Sequence, residues 1–262
     1  MKAQEIRFGV EIECYIPNAM ARTNFVPGGY HRGNQIHLAP RGWNSQHDGS
    51  LCDCPPGYTP AEVVSPILKG EDGLAQIWYM CEYLQRIDAI VNSTCGLHVH
   101  VDARGLTPEE IEIVKGEFRK FEMAFYGLSG RDAPNRWTNH YCQNSDHWQF
   151  GNRYQSLNLT NLGNSKNTIE VRCWAGTLLA EVIVSAVYMI VAMVSRVSEG
   201  HITYNTMGTR IANAFESAQG FCQEYLTNPT HWIVADVVPD DVVEVILHQC
   251  DAARPMLARL AV

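Results

Sequence analysis

Residues 6–16 (IRFGVEIECYI) alternate apolar and polar side chains, the period of two expected of a strand with one buried face. Shorter β-type runs follow at 43–51, which carries an Asp48-Gly49 turn signal, and at 61–65, which Pro66 ends. Between residues 72 and 91 the period changes. Leu74, Ile77, Trp78, Cys81, Leu84, Ile87, Ile90 and Val91 recur at helical spacing, and core contact explains this stripe fully. A strand holding His98 and His100 comes next. Thr107-Pro108-Glu109-Glu110 then announces a helix reaching about Tyr126, with Thr as cap, Pro in the first turn and Glu in the capping-box position. Strands are expected again at 154–159 and 167–174. Helices are expected at 178–198, 207–226 and 240–260, the last broken around 251–255. Two passages show no period. The Gly-, Pro- and Asn-rich stretch 17–42 is too long for a plain turn and suggests a functional lid or a disordered loop. Residues 129–148 are crowded with Arg, Asn, His and Trp, which suits substrate contact as well as an ordered surface loop.

The most apolar segment, 182–194, is bounded by Glu181 and Arg196 and is too short for the roughly 18 to 20 apolar residues a span needs, so a buried core helix is expected and no membrane. The net charge of −8 has no Lys/Arg runs beside it, which argues against a general nucleic-acid surface and leaves a locally bound nucleotide possible. Nine scattered cysteines fit free thiols in a reducing compartment, and the spacing of Cys52 and Cys54 is poor for zinc. The charged N-terminus lacks a signal-peptide core, so a cytoplasmic protein is expected. With 262 residues and no evident linker or repeat, one domain over 1–262 is the expectation.

Three short runs place a functional side chain at every second position: Glu11-Ile12-Glu13, His98-Val99-His100 and Glu170-Val171-Arg172. On a strand each pair projects to one face. Taken singly, each has an ordinary explanation as a solvated face, a hydrogen-bonded histidine pair or an ion pair. Taken together, they suggest a sheet whose concave face carries chemistry, because a carboxylate buried without a partner costs several kcal/mol. Glu11, Glu13, Glu62 and Glu170 would gather carboxylates in one basin, where two charges about 4 Å apart repel by roughly 4 kcal/mol at an effective dielectric of 20. Mg²⁺ or Mn²⁺ would supply the counter-charge, and Arg172 suits a phosphate in bidentate fashion.

FGVEIE (8–13), Trp43 with DGSL (48–51), AEVVSP (61–66), CGLHVHVD (95–102), RYQSLNL (153–159) and TIEVRCWAGTL (168–178) occur in an order that resembles the amidoligase family, itself similar to the carboxylate–amine ligases of the glutamine synthetase and glutamate–cysteine ligase superfamily. The resemblance spans about 8–194 and assigns nothing to 17–42 or to the chain after 194. It implies an α+β fold like the glutamine synthetase catalytic domain, with a curved, mainly antiparallel sheet forming the basin and helices packed outside. It also implies that ATP phosphorylates a substrate carboxylate and that an amine then attacks the acyl phosphate, giving an amide or isopeptide bond, ADP and phosphate. By motif, Glu11, Glu13, Glu62 and Glu170 resemble metal ligands for Mg²⁺ or Mn²⁺, with Asp48 as a further candidate. His98 and His100 occupy the histidine motif, where one ring is expected near metal or nucleotide. Arg172 resembles the phosphate-binding arginine after the metal-binding glutamate, Arg153 a second anion contact, and Arg131 a contact for the substrate carboxylate.

The expected partners are small-molecule or peptide carboxylates and amines, with the chain a monomer or small homo-oligomer. His31, His37, Trp137, His140, His147 and Trp148 are loop residues that could touch substrate or serve structure. Three rivals are a guanidino-kinase-like phosphotransferase, a zinc hydrolase built on His98, His100 and Glu170, and a non-catalytic nucleotide-binding module. The hydrolase leaves Glu11 and Glu13 unexplained.

Overall fold

The alternation at the start of the chain becomes a long strand, β1 (Arg7–Pro17), whose Phe8, Val10 and Ile12 turn into the core while Glu11 and Glu13 turn the other way. The structure is a computed structural model and describes residues 1–29, 32–145 and 151–200, together with Glu244, His248 and Gln249. After β1 come α1 (Asn18–Ala21), β2 (Asn34–Gln35), β3 (Asn44–Gln46), β4 (Tyr58–Val64), β5 (Leu68–Lys69) and α2 (Gly70–Arg86). Then follow β6 (Gly96–Asp102), α3 (Pro108–Lys120), α4 (Glu122–Gly127), α5 (Ala133–Trp137), β7 (Leu157–Asn158), β8 (Thr168–Ala175) and α6 (Ala180–Ser198). The expected helices at 207–226 and 240–260 lie outside the described residues.

The fold is α+β, with an open sheet ordered β2-β3-β4-β1-β6-β8-β7 and β5 pairing with the start of β1. Every named strand pair is antiparallel. Helices α2 and α6 pack on each other, and α6 also meets α3 and β6. The apolar layer joins Val10, Ile12, Leu97, Val99, Ile169 and Val171 of the central strands to Ile183, Val187 and Ile190 of α6. Each such side chain contributes roughly 1.5–3 kcal/mol by leaving water. Helix α6 is the one described helix long and apolar enough to cross a membrane, and nearly all of it is buried inside the protein.

Several expectations shift in extent. The capping box at Thr107 forms with both reciprocal bonds, but the helix it opens stops at Lys120, where Phe121 (φ −110°, ψ 15°) leaves helical geometry before α4 begins. Only Asn44–Gln46 of the expected strand at 43–51 is paired, because the chain then turns on Asp48, whose Oδ1 accepts the Ser50 amide at 2.6 Å. Of 154–159 only Leu157–Asn158 forms a strand; the Ser156 carbonyl accepts from the Arg172 amide, but the Ser156 amide and the Tyr154 carbonyl bond Gln143. The stretch 17–42 is no free loop in its described part. Phe25 and Ile36 are fully buried, and Gly28 and Ile36 donate to the carbonyls of Ser45 and Trp43.

Gly73 tests this packing. In a helix Ala is favoured over Gly by about 1 kcal/mol, yet a Cβ at Gly73 would lie 2.9 Å from Leu68 Cβ and Phe8 Cζ. Overpacking of that kind costs about 1–3 kcal/mol, so after the helix-propensity gain Gly73→Ala is expected to lower stability by up to about 2 kcal/mol in denaturant unfolding. A gain in stability would show that β5 and α2 are loosely apposed.

Candidate active site

Strand register alone brings the polar pairs into one patch. Glu13 stands opposite Glu62, Glu62 opposite Gln46, Glu11 opposite His98, and His100 opposite Glu170, which in turn faces Asn158. Neighbours across an antiparallel pair are about 4.5–5.5 Å apart at Cβ, so three successive rows of one sheet face, at Gly9, Glu11 and Glu13 of β1, carry ionisable groups within reach of one another. Between Leu97 and Val99 the pairing of β6 with β8 shifts register, so that Arg172 and Cys173 together oppose His98 alone. Such a bulge re-aims side chains and is common beside active sites.

The centre of the patch is Glu11. His98 Nδ1 lies 3.1 Å from its Oε2, and His100 Nε2 forms an ion pair with its Oε1 at 3.1 Å. His98 Nε2 is 3.7 Å from Glu13 Oε1, so this one ring spans both carboxylates of the strand. Burial by itself would raise Glu11, but the charges and hydrogen bonds of His100 and His98 outweigh it and hold the carboxyl well below its usual range. Burial likewise pulls His100 down, yet Glu11 and Glu170 prevail and the ring is held above its ordinary value. Glu13 is raised, chiefly by burial, although its Oε2 accepts the Gly96 amide at 2.5 Å. Glu62 is pushed up to about 9, first by burial and then by the charge of Glu11, against one hydrogen bond from Gln46.

Glu170 is held differently. Its Oε2 accepts from Asn158 at 2.7 Å, and its Oε1 from Arg172 Nη1 at 3.1 Å. The Arg172 guanidinium lies 5.8 Å from the Tyr154 ring centroid, with its buried Nε unpartnered among the described residues. The fork is thus oriented with hydrogen-bonding capacity to spare.

Three overlapping trios have ligand atoms within 4.8 Å of one another: Glu11, His100 and Glu170; Glu11, Glu62 and His98; Glu13, Asp48 and Glu62. A carboxylate pushed up to about 9 by burial and by the charge of Glu11 is what a cation would relieve, and the clustered carboxylate oxygens fit Mn²⁺ or Mg²⁺. No trio joins His98, His100 and Glu170, the set a zinc hydrolase would use.

A cavity of about 130 Å³ opens over this patch, lined by Glu11, Asp48, Glu62, His98, His100, Arg153, Glu170 and Arg172 together with Gln46, Asn158, Thr160, Asn161 and Lys166. A second cavity of about 330 Å³ adjoins it, sharing Glu11, His100 and Lys166. Arg131 is not brought there. It is exposed on the turn Gly130–Asp132, while Arg136, five residues on, is buried beside Glu13 and Gly96. Trp137 packs edge-on against Tyr126, and His140 sits at the surface near Tyr154. The His37 carbonyl accepts the Tyr83 hydroxyl. His31, His147 and Trp148 lie outside the described residues. Sequence reasoning missed Gln46, Asn158, Asn161, Lys166 and Arg136. Gln46 and Asn158 were detectable as same-face partners two residues from Asp48 and from Ser156, whereas nothing local marks Lys166 or Arg136.

The chain matches the family model described as "Putative amidoligase enzyme" over residues 4–150, more than half its length, and it belongs to that family. The match contains Glu11, Glu13, Asp48, Glu62, His98 and His100 and stops short of Arg153, Glu170 and Arg172. Among solved structures it is similar to the crystal structure of a bifunctional glutathione synthetase from Pasteurella multocida, with 11% identity, a TM-score of 0.53 and coverage of 98% of this chain and 49% of that one. The chain thus spans about half the length of that protein, and the likeness is one of fold. No curated protein sequence matches the chain.

The crowding has a measurable consequence. Because the folded-state value of Glu62 lies above its ordinary 4.5, the folded chain binds a proton that the unfolded chain gives up between about pH 4.5 and pH 9, and stability from this group is lost as pH rises through that window. With chelator present, Glu62→Gln is expected to flatten the fall in Tm between about pH 5 and pH 9 and to blunt the rise in Tm on adding Mn²⁺. Parallel Tm profiles for variant and parent would remove Glu62 from the cluster.

Proposed function

We propose that this chain is an ATP- and Mg²⁺- or Mn²⁺-dependent carboxylate–amine ligase working through an acyl phosphate. The observation that carries the reading is the single cavity in which clustered carboxylates face Arg153, Lys166 and Arg172, the mixed-sign surface that a polyphosphate with its cation would need. Glu11, Glu13, Glu62 and Glu170 would hold the metal, with Asp48, His98 and His100 beside them. When bound, that ion neutralises charge on phosphate oxygens.

A substrate carboxylate oxygen attacks the γ-phosphorus and ADP leaves. The amine nitrogen then attacks the acyl carbon, phosphate leaves, and the amine loses a proton. Arg172, fixed by Glu170 and resting on Tyr154, offers a preset fork to the transferring phosphoryl group, and Arg153 adds a second positive contact. No protein nucleophile is needed, so positioning and charge neutralisation carry the work. The adjoining cavity, whose lining includes Phe8, Val64, Pro66 and Ile67, suits a flat nucleotide base, with the phosphates crossing at Lys166 into the carboxylate basin.

The kinship of the sheet with the curved catalytic sheet of glutamine synthetases belongs to the same reading. So do a single catalytic domain over 1–262, a cytoplasmic setting, small-molecule or peptide carboxylate and amine substrates, and a monomer or small homo-oligomer without a nucleic-acid partner.

The test is Mg²⁺-dependent ADP release with pooled amino acids and peptides, trapped with hydroxylamine and read by mass spectrometry. A hydroxamate appearing with ADP is the expected product. A stable phosphorylated product without hydroxamate would replace the ligase with a phosphotransferase. Glu13→Ala and Glu170→Ala are expected to abolish turnover with the fold retained by circular dichroism. Arg172→Lys is expected to lower kcat by about 100-fold or more, because a point ammonium cannot reproduce a planar fork. Full activity in Glu13→Ala would refute the metal assignment.

A further inference from the structure

At the Gly96 end of the sheet lies a third cavity, of about 260 Å³, lined by Asn92, Ser93, Asp132, Asn135, Arg136 and Gly176 among others. It shares no lining residue with the carboxylate basin. Arg136 stands between the two. Its Nη2 lies 3.0 Å from where a Cβ on Gly96 would be, a point also 3.2 Å from His98 Nε2 and 3.3 Å from Glu13 Oε2. A Cβ at position 96 would press on the guanidinium, which would have to move away by a few tenths of an ångström.

The hydrogen bonding of Arg136 is incomplete. A guanidinium has five N–H donors, and one buried in protein ordinarily finds partners for them. Arg136 is 3% exposed, yet among the described residues its side chain makes one hydrogen bond, from Nη2 to the Arg172 carbonyl at 2.8 Å, and its Nε is buried without a partner. Glu13 is near enough to feel its charge but makes no ion pair with it. Asp132, exposed at the same cavity, caps no helix with its carboxylate and pairs with no described cation.

We infer that this cavity is the subsite for an amino-acid-like substrate, whose carboxylate is taken by Arg136 and whose ammonium is taken by Asp132. A buried cation with an unpartnered N–H selects an anion, and a carboxylate is the one an amino acid carries. An uncommitted carboxylate on the same small cavity selects a cation, so the pair reads a zwitterionic head group, with Asn135 and Ser93 as neutral neighbours. The cavity volume suits a small amino acid or a peptide end. The inference rests on the ligase reading for the word substrate, while the binding itself needs neither nucleotide nor metal.

Isothermal titration of the full chain, without ATP or divalent cation, would use the standard L-amino acids one by one, each beside the matched acid that lacks the amine. At least one amino acid is expected to bind, more tightly than its desamino partner. Arg136→Gln is expected to weaken it by about tenfold or more, the usual scale for losing a charge-assisted hydrogen bond. Asp132→Asn, at an exposed position that leaves folding intact, is expected to weaken the amino acid severalfold and leave the desamino acid unchanged. Binding that both variants retain, or no binding by any member of the panel, overturns the subsite. ADP release without binding here would leave the ligase reading standing and remove only this inference. Binding here without any ADP release would do the reverse.

Discussion

The arrangement depends on one constraint, the partly buried Glu11 held between two imidazoles in the middle of a sheet. Like charges about 4 Å apart cost roughly 4 kcal/mol even at an effective dielectric of 20, and Glu11 has Glu13, Glu62 and Glu170 around it. His98 and His100 meet part of that cost by holding Glu11 ionised, and Glu62 yields by keeping its proton. Such a cluster persists only on a rigid support. The opposite face of the same strands supplies it, with Val10, Ile12, Leu97, Val99, Ile169 and Val171 sealed beneath α6. The alternation that buries one face is therefore the same fact that concentrates charge on the other.

The bulge in β8 is the second hinge of the arrangement. By opposing His98 with two residues, it lets Arg172 stay on the face of Glu170 while Trp174 comes opposite Leu97 and packs against Phe125 in the core. The Arg172 carbonyl accepts from Arg136, so one residue ties the basin to the guanidinium at the third cavity. Three cavities then follow the long axis of β1, from the apolar-floored one at Arg7, through the carboxylate basin at Glu11, to the one reached past Glu13 and Gly96.

Family membership and fold likeness bear on different parts of this picture. The family match ends at residue 150, before β7 and β8, so Asn158, Glu170 and Arg172 reach the site only because β8 pairs with β6 and β7 with β8. The solved neighbour, at 11% identity, shares the frame and leaves the chemistry to be argued from the residues in place.

The sequence by itself determined which side chains share a face. A period of two is a local property, and it was enough to place Glu11 with Glu13, His98 with His100 and Glu170 with Arg172, and to find β1, β6, β8, α2, α6 and the capped start of α3. Strand ends were less legible, because the Tyr154 carbonyl, the Ser156 amide and the loop after Gln46 turn to Gln143 and to the Asp48 side chain, partners that no local pattern names. Tertiary structure alone decided that Arg136 rather than Arg131 is buried at the site, that Lys166 joins two cavities, and that the stretch 17–42 is anchored by Phe25 and Ile36. Those outcomes depend on cross-strand register, a bulge and the packing of distant segments, and contacts between residues far apart in the chain leave no period along it for a reader to find.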